Sequence, residues 1–342
     1  HLTILRYYMP AVELQSVLSE RVLNMTESAT LQMAAMARKM KEQGIDVITL
    51  SLGEPDFDTP QHIKDAAVKA LADGHTKYTA VAGNLDLREA ICAKLKREND
   101  LDYKPNQIVV SNGAKQDIAS LCMAMINPGD EVIILSPYWV SYSDIVKMCG
   151  GKAVVLSASV EEDFKVPASR IKEVISSKTK LLMFSSPCNP SGSVFSKEEL
   201  KDIVDVIAPH PGIYIMSDEI YEHINFTGKH VSIATFPEIK ERTIVINGFS
   251  KAFAMTGWRL GYMAAPVFIA EAVTKIQGQV TSGANSIAQK AGVVALNADL
   301  KPTLEMTEAF RRRRDLIISL LKEIPGFKGN FPTGAFYIFP DI

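Results

Sequence analysis

The chain has 342 residues, 47% of them hydrophobic and 22% charged, with a formal net charge of −2. That near-neutral balance, with no basic tail, argues against nucleic acid or an anionic membrane surface as the main partner, and the length suffices for one large and one smaller domain. Cys92, Cys122, Cys149 and Cys188 are far apart, with no Cys-x-x-Cys pair and no neighbouring His cluster, so neither a metal site nor a disulfide framework is signalled and a reducing cytoplasm is the expected compartment.

No apolar run approaches the roughly 18–20 residues that span a bilayer. His1 to Ser16 show neither a secretory pattern nor a clean period, and are read as leader sequence or sequence added for expression. The first expected helix is Ser28 to Gln43, capped by Ser28 and stopped by Gly44. Val47 to Leu52 reads as a strand that runs into Gly53-Glu-Pro, where a glycine lets the backbone come close to a ligand. Thr59 to Asp73 reads as a helix, Lys77 to Asn84 as a glycine-bearing loop and Asp86 to Asn99 as a second helix. A strand at Gln107 to Val110 and a helix through Met125 are joined by Ser111-Asn-Gly-Ala-Lys. Free backbone N–H groups at such a helix start make an anion site, with Gly113 and Ala114 as donors; Lys115 either adds charge there or lies on the helix.

Farther on, strands are expected near Glu131 to Ser136, Gly151 to Leu156, Thr179 to Ser185, Gly212 to Ser217 and Arg242 to Asn247, with helices at Pro167 to Ser176 and Lys197 to Ala208 between them. Trp139 follows the first of these and offers a flat apolar face. Asn189 lies between two prolines, so its amide is aimed at little entropic cost; Cys188 beside it is read as a packing residue. Asp218 and Tyr221 stand at a strand's C-terminal edge, and Glu219 is read as a surface or loop acid. After Ala264 come helices at Phe268 to Gln279, Asn285 to Leu296 and Pro302 to Leu321, the last with Arg311 to Arg314 on a face expected to be solvated. Repeated strand–helix alternation makes an α/β, mostly parallel, doubly wound sheet flanked by helices.

The segment Asn247 to Tyr262, Asn-Gly-Phe-Ser-Lys-Ala-Phe-Ala-Met-Thr-Gly-Trp-Arg-Leu-Gly-Tyr, places Lys251 and Arg259 eight residues apart in otherwise uncharged surroundings. A lysine amid Phe249, Phe253 and Met255 is either desolvated, with a lowered pKa and a nucleophilic amine, or one that snorkels to water. The segment resembles the cofactor-lysine motif of the class I and II aminotransferases, pyridoxal-phosphate enzymes of fold type I, and in particular their bacterial aspartate aminotransferase branch. The likeness extends over nearly all of Leu18 to Ile342, with Gly53, Tyr78, Gly113, Trp139, Asn189, Asp218, Tyr221, Lys251 and Arg259 in the family's order.

The resemblance implies a role for each. Lys251 carries pyridoxal 5'-phosphate covalently and shuttles the substrate's α-proton, while Asp218 faces the ring nitrogen and Tyr221 and Asn189 the phenolic oxygen. Arg259, Ser250, Gly113 and Ala114 hold the phosphate; a serine is common where Gly248 stands here. Trp139 covers the ring, and Gly53, Trp139 and Asn189 border the substrate. Tyr78 reaches across to a neighbouring subunit, which implies a homodimer with shared sites.

By the same likeness a large cofactor-binding domain spans 53–300, and a smaller α/β domain is formed by 17–52 and 301–342. The implied reaction is ping-pong transamination between an amino acid, L-aspartate first, and 2-oxoglutarate. The alternatives are aromatic amino acid or prephenate transamination, or a lyase on the same fold. The family's carboxylate-binding arginine is expected beyond Ile342, in a natural sequence that continues.

Overall fold

The structure, a computed structural model, describes residues 17–23, 25 and 29–342. The segment 1–16 and the cap expected at Ser28 lie outside the described residues. Helix α1 (Ala29–Glu42) leads to α2 (Gln61–Ala72) and α3 (Leu85–Asn99), and then β1 (Ile108–Ser111), α4 (Ala114–Met125), β2 (Glu131–Ser136), α5 (Ser141–Met148) and β3 (Lys152–Ser157) alternate. They are followed by α6 (Ala168–Val174), β4 (Thr179–Ser185), α7 (Lys197–Ile207), β5 (Tyr214–Asp218), β6 (Thr243–Gly248) and β7 (Gly261–Ala264). Three helices close the order: α8 (Val267–Val280), α9 (Ser286–Asn297) and α10 (Lys301–Leu321).

Among the described residues seven strands form one sheet in the order β1-β7-β6-β5-β4-β2-β3. All pairings are parallel except those of β7, which runs antiparallel to β1 and β6. The α/β, mostly parallel expectation therefore holds.

Period-two alternation divides each strand between two faces. Val109, Val132, Ile134, Leu181, Met183, Ile244 and Ile246 pack on one side with Ile118 and Leu121 of α4, Tyr142 of α5 and Val273 of α8. On the other side Ile108, Val110 and Val245 meet α3 and α9, and Ile133, Leu182 and Phe184 meet α6 and α7. With both faces covered, the strands read as near-continuous apolar runs, as a parallel sheet requires. Because β2, β4, β5 and β6 run in one direction, their C-terminal ends open on the same edge, and the loops there converge.

Three elements differ from the sequence reading. Val47 to Leu52 is not a strand: it pairs with no other strand among the described residues, and Ile48 and Leu50 are 85% and 91% exposed. The apolar alternation is there, but no neighbouring edge supplies the ladder of hydrogen bonds. Helix α5 was not expected, because Ser, Tyr and Val are poor helix formers; burial of Tyr142, Ile145 and Val146 on one face stabilises it. Strand β7, four buried residues directly after the Lys251–Arg259 segment, was also not anticipated.

Candidate active site

At the C-terminal edge of the parallel strands lies a cavity of about 830 Å³. Its wall includes Gly53, Ala114, Trp139, Asn189, Asp218, Tyr221, Ser250, Lys251 and Arg259, residues drawn from seven separate stretches of chain. Each reaches it for a local reason. Asp218 is the last residue of β5, and Lys251 comes three residues after the end of β6. Ala114 opens α4, whose N-cap Gly113 has φ +94°, a conformation that disfavours a side chain. A methyl built on Gly113 would also lie 2.4 Å from Arg259 Nη2, so its bare backbone is what admits the guanidinium to the helix start.

The titratable groups are strongly displaced. Burial pulls the Lys251 amine down to about 8, with Glu54 acting against it and Arg259 reinforcing it. Its Nζ donates to the Gly53 carbonyl and lies 5.8 and 5.5 Å from the ring centres of Tyr221 and Phe336. The desolvation anticipated from Phe249, Phe253 and Met255 is thus present. Those three side chains, however, sit in the apolar cluster beneath the sheet edge, and Tyr221 and Phe336 supply the rings that face the amine.

Asp218 is pushed up to about 6, by burial first, while the Tyr142 hydroxyl that donates to it at 2.6 Å pulls the other way. Its hydrogen-bond partners are neutral, the second being the Ile220 N–H at 3.3 Å. Tyr221, itself buried, exchanges a 2.5 Å hydrogen bond with Tyr337, and Asn189 Nδ2 donates to the same Tyr337 hydroxyl at 3.3 Å. Trp139 stands edge-on to Tyr142 at 5.7 Å, with the Lys115 ammonium 4.7 Å from its ring centre. Burial lowers the pKa of that ammonium.

Tyr78 stands apart from the other expected site residues: it does not line this cavity and is 98% exposed, whereas Gly113, though not on the wall itself, abuts Arg259 there. Two further readings are corrected. Glu219 is not a surface acid but fully buried, because its carboxylate accepts from Ser217 Oγ (2.9 Å) and Ser232 Oγ (2.6 Å) and lies 3.0 Å from His230 Nε2. Nor do Arg311 to Arg314 form one solvated face. Arg312 is 68% exposed, but Arg313 makes a two-pronged pair with Asp56 at 2.7 and 3.0 Å on the cavity wall. Arg314 is 10% exposed and lies 4.7 and 4.3 Å from the Phe226 and Phe331 rings. Apolar stems and planar guanidinium faces let arginines pack this way. Cys188 is buried and its Sγ contacts the Pro137 carbonyl, a packing position as expected.

The family model for aminotransferase class I and II matches residues 45–342. The chain belongs to the class I and II aminotransferases. Among similar proteins, an aspartate/prephenate aminotransferase of Nitrosomonas europaea is 47% identical over 327 residues, covering 95% of this chain and 82% of that one. A bifunctional aspartate aminotransferase and glutamate/aspartate-prephenate aminotransferase of Petunia hybrida is 46% identical over 98% of this chain and 71% of its own. The crystal structure of the Rhizobium meliloti aspartate aminotransferase superposes with a TM-score of 0.91 at 43% identity, covering 94% of this chain and 81% of that one. The Thermus thermophilus aspartate aminotransferase with maleate gives 0.90 at 44%, covering 94% and 84%.

This aminotransferase therefore uses pyridoxal phosphate, and its cavity fits that cofactor. A flat ring would find Trp139 on the wall, and a protonated ring nitrogen would find Asp218, a buried carboxylate with only neutral hydrogen-bond partners. A phosphate has the α4 N-terminus and Arg259 side by side, and an aldehyde has an amine with a pKa of about 8. Two contributors were not recognised in the sequence. Tyr142 lies in the unexpected helix α5, and Tyr337 lies 86 residues beyond Lys251 in a segment without regular structure. The aromatic pair Phe336-Tyr337 next to Gly334 was the available signal.

Proposed function

We propose that this aminotransferase passes the amino group of L-aspartate to 2-oxoglutarate in two half-reactions at this cavity. The observation that carries the reading is the pairing, within one cavity, of a lysine amine with a pKa of about 8 and a buried carboxylate lacking a charged partner in contact. When bound, pyridoxal phosphate supplies an aldehyde that condenses with amines and a ring that accepts the electron pair left when the α-proton departs.

The chain's own groups do the rest. Lys251, whose amine burial brings to a pKa of about 8, would hold the cofactor and would take the proton from the substrate Cα. Asp218 keeps the ring nitrogen protonated by opposite charge. Tyr221 and Asn189 would donate to the phenolic oxygen, and Trp139 would cover the ring. Arg259, Ser250 and the Gly113 and Ala114 N–H groups hold the phosphate. Gly53, Asn189 and Trp139 border the substrate. Lys115 adds positive charge to the wall, which suits a dicarboxylic substrate, whereas Arg313 and Arg314 are already paired with Asp56 and Asp315.

Tyr78 is assigned to the site of a second subunit in a homodimer; its exposure and its absence from the lining of its own chain's cavity support this. Prephenate as amino acceptor is the second reading, since several relatives carry it in their names beside aspartate. The test is the absorbance of the purified holoenzyme before and after each amino acid, with product analysis. Aspartate should bleach the cofactor band and yield oxaloacetate, and 2-oxoglutarate should restore it. An eliminated fragment in place of an oxo acid, or a band indifferent to aspartate, sinks the reading.

A further inference from the structure

We propose that Tyr337 is a positioning residue for the reaction: its hydroxyl bridges Asn189 and Tyr221 and turns the Tyr221 O–H toward the cofactor's phenolic oxygen. The inference rests on the reading of the site given above and goes beyond it, since Tyr337 belongs to none of the strand-end motifs that define the cavity.

Its place is fixed from several sides. Residues 333–335 are tied to the segment just after Tyr221: Phe226 N–H donates to the Thr333 carbonyl (2.8 Å), Ala335 N–H to the Ile224 carbonyl (2.7 Å), and Asn225 bridges to Gly334. The Tyr337 and Tyr221 rings meet edge to face at 5.6 Å, and Phe336 stands 5.5 Å from Tyr221 and 4.8 Å from Tyr337. The hydroxyl points into room left by a missing side chain, because a methyl built on Gly53 would lie 2.1 Å from the Tyr337 oxygen.

Donor chemistry fixes the first of these hydrogen bonds. An asparagine Nδ2 only donates, so at 3.3 Å the Tyr337 oxygen is the acceptor. Between Tyr337 and Tyr221, 2.5 Å apart, either oxygen can donate, and we place the Tyr337 proton on this contact. So placed, it makes Tyr221 the acceptor and leaves the Tyr221 proton for a third group on the cavity side. In such a chain each donor strengthens the next, so Tyr337 makes Tyr221 a better donor, while Asn189 keeps its second N–H for the same cofactor oxygen.

The pH at which the bound cofactor changes its absorbance reports this arrangement without turnover. A weaker donor leaves more negative charge on the phenolic oxygen, and that charge holds the chromophore's proton more tightly. Tyr337→Phe holoenzyme should therefore change colour at a higher pH than the parent, by about half a unit for the loss of one polarising hydrogen bond. In a Tyr221→Phe background the same substitution should shift nothing further, because its effect runs through Tyr221. Gly53→Ala is the independent second variant: its methyl displaces the Tyr337 hydroxyl without altering the tyrosine, and should move the transition the same way.

If Tyr337→Phe does not fold, Gly53→Ala decides alone. A transition at the parent pH in both variants, or a shift that persists in the Tyr221→Phe background, overturns the inference. If the parent holoenzyme itself has no pH-dependent band, the reading of the site falls first and this inference with it.

Discussion

Desolvation gives Lys251 its chemistry, and the consequence can be measured on the residue itself. Its ammonium form is lost through about pH 8 in the folded protein, against about 10.4 for a free lysine. The sign for stability follows: burying the ammonium costs the native state below about 8, and that cost is relieved as pH rises from 8 toward the unfolded value. We predict that acetylation of Lys251 in native protein without added cofactor, followed by peptide mass spectrometry, rises with a midpoint near pH 8, and near the free-lysine value after denaturation. A native midpoint above 10 would show that water reaches the amine. Asp218 allows a second test, because its proposed task is electrostatic and not structural. Asp218→Asn should keep the cofactor yet lose turnover by roughly 10²–10³-fold, the usual scale for one lost charge-stabilising group, whereas Asp218→Glu should lose less. Equal turnover in Asp218→Asn and the parent excludes the role. Both residues, and Tyr221, were legible in the sequence from their strand-end positions; that Tyr221 and Phe336 supply the rings facing Lys251 was not, because they come from segments 30 residues before and 85 residues after it.

Between elements, the site is braced from behind by buried charge. Lys94, near the end of α3, is 1% exposed and pairs with Glu222, which follows Tyr221 directly; it also donates to Asn99 Oδ1 at 2.8 Å. Glu222 accepts in addition from Asn99 Nδ2 (2.6 Å) and from Asn247 Nδ2 of β6 (2.7 Å), so one carboxylate joins α3, β6 and the turn carrying Asp218 and Tyr221. Burial works to raise the Glu222 pKa, but Lys94, with His223 and His230, outweighs it and holds the carboxyl well below its usual range. For a carboxyl held low, the stability it contributes is present above the unfolded value of about 4.3 and is lost as pH falls below it. Lys94→Met leaves the carboxylate buried without its cation, and we predict a loss of about 3–5 kcal/mol at pH 7, read from urea unfolding, that shrinks below about pH 4. A loss under 1 kcal/mol at pH 7 would mean that water or the histidines compensate. The Lys94–Glu222 pair was not visible in the sequence, because a charge in a linear chain does not reveal a partner 128 residues away. The repeated strand–helix units were legible, since period-two and period-3.6 patterns are local. Val47–Leu52 shows the limit of that signal: its alternation suits a strand, but only a neighbouring edge makes one. Helix α5 shows the converse, a segment of weak helix formers held by the burial of three side chains.

At the scale of the whole molecule, one expected site residue is separated from all the others. Tyr78 lies on a loop fastened to α8 and α9: Thr79 Oγ1 donates to the Ala284 carbonyl (3.2 Å), Gln277 Nε2 to Val81 O (2.6 Å), and Asn84 N–H to Gln289 Oε1 (2.7 Å). The loop is therefore well held, and the exposure of the ring is not a matter of a loose segment. An aromatic ring presented to water from a fastened loop gains from being covered, and its hydroxyl then needs a polar partner. On the proposed reading the surface of a second subunit would cover the ring and a phosphate held there by Arg259 and the α4 N-terminus would meet the hydroxyl, an arrangement that can be told apart from a purely structural contact. We predict complementation between two crippled subunits, Tyr78→Phe and Lys251→Ala, assayed at a cofactor concentration that limits the Tyr78→Phe homodimer. If Tyr78 serves the partner's site, a heterodimer collects both lesions in one site and leaves the other whole. In a two-fold dimer mixed at random, half the molecules are heterodimers with one whole site each, so about a quarter of the parental activity should return. If Tyr78 serves its own chain, every heterodimer site carries one lesion and the mixture gives only the average of the two homodimers. Heterodimers shown to form by mass yet giving that average would assign Tyr78 to its own subunit, and the proposal of shared sites would be withdrawn.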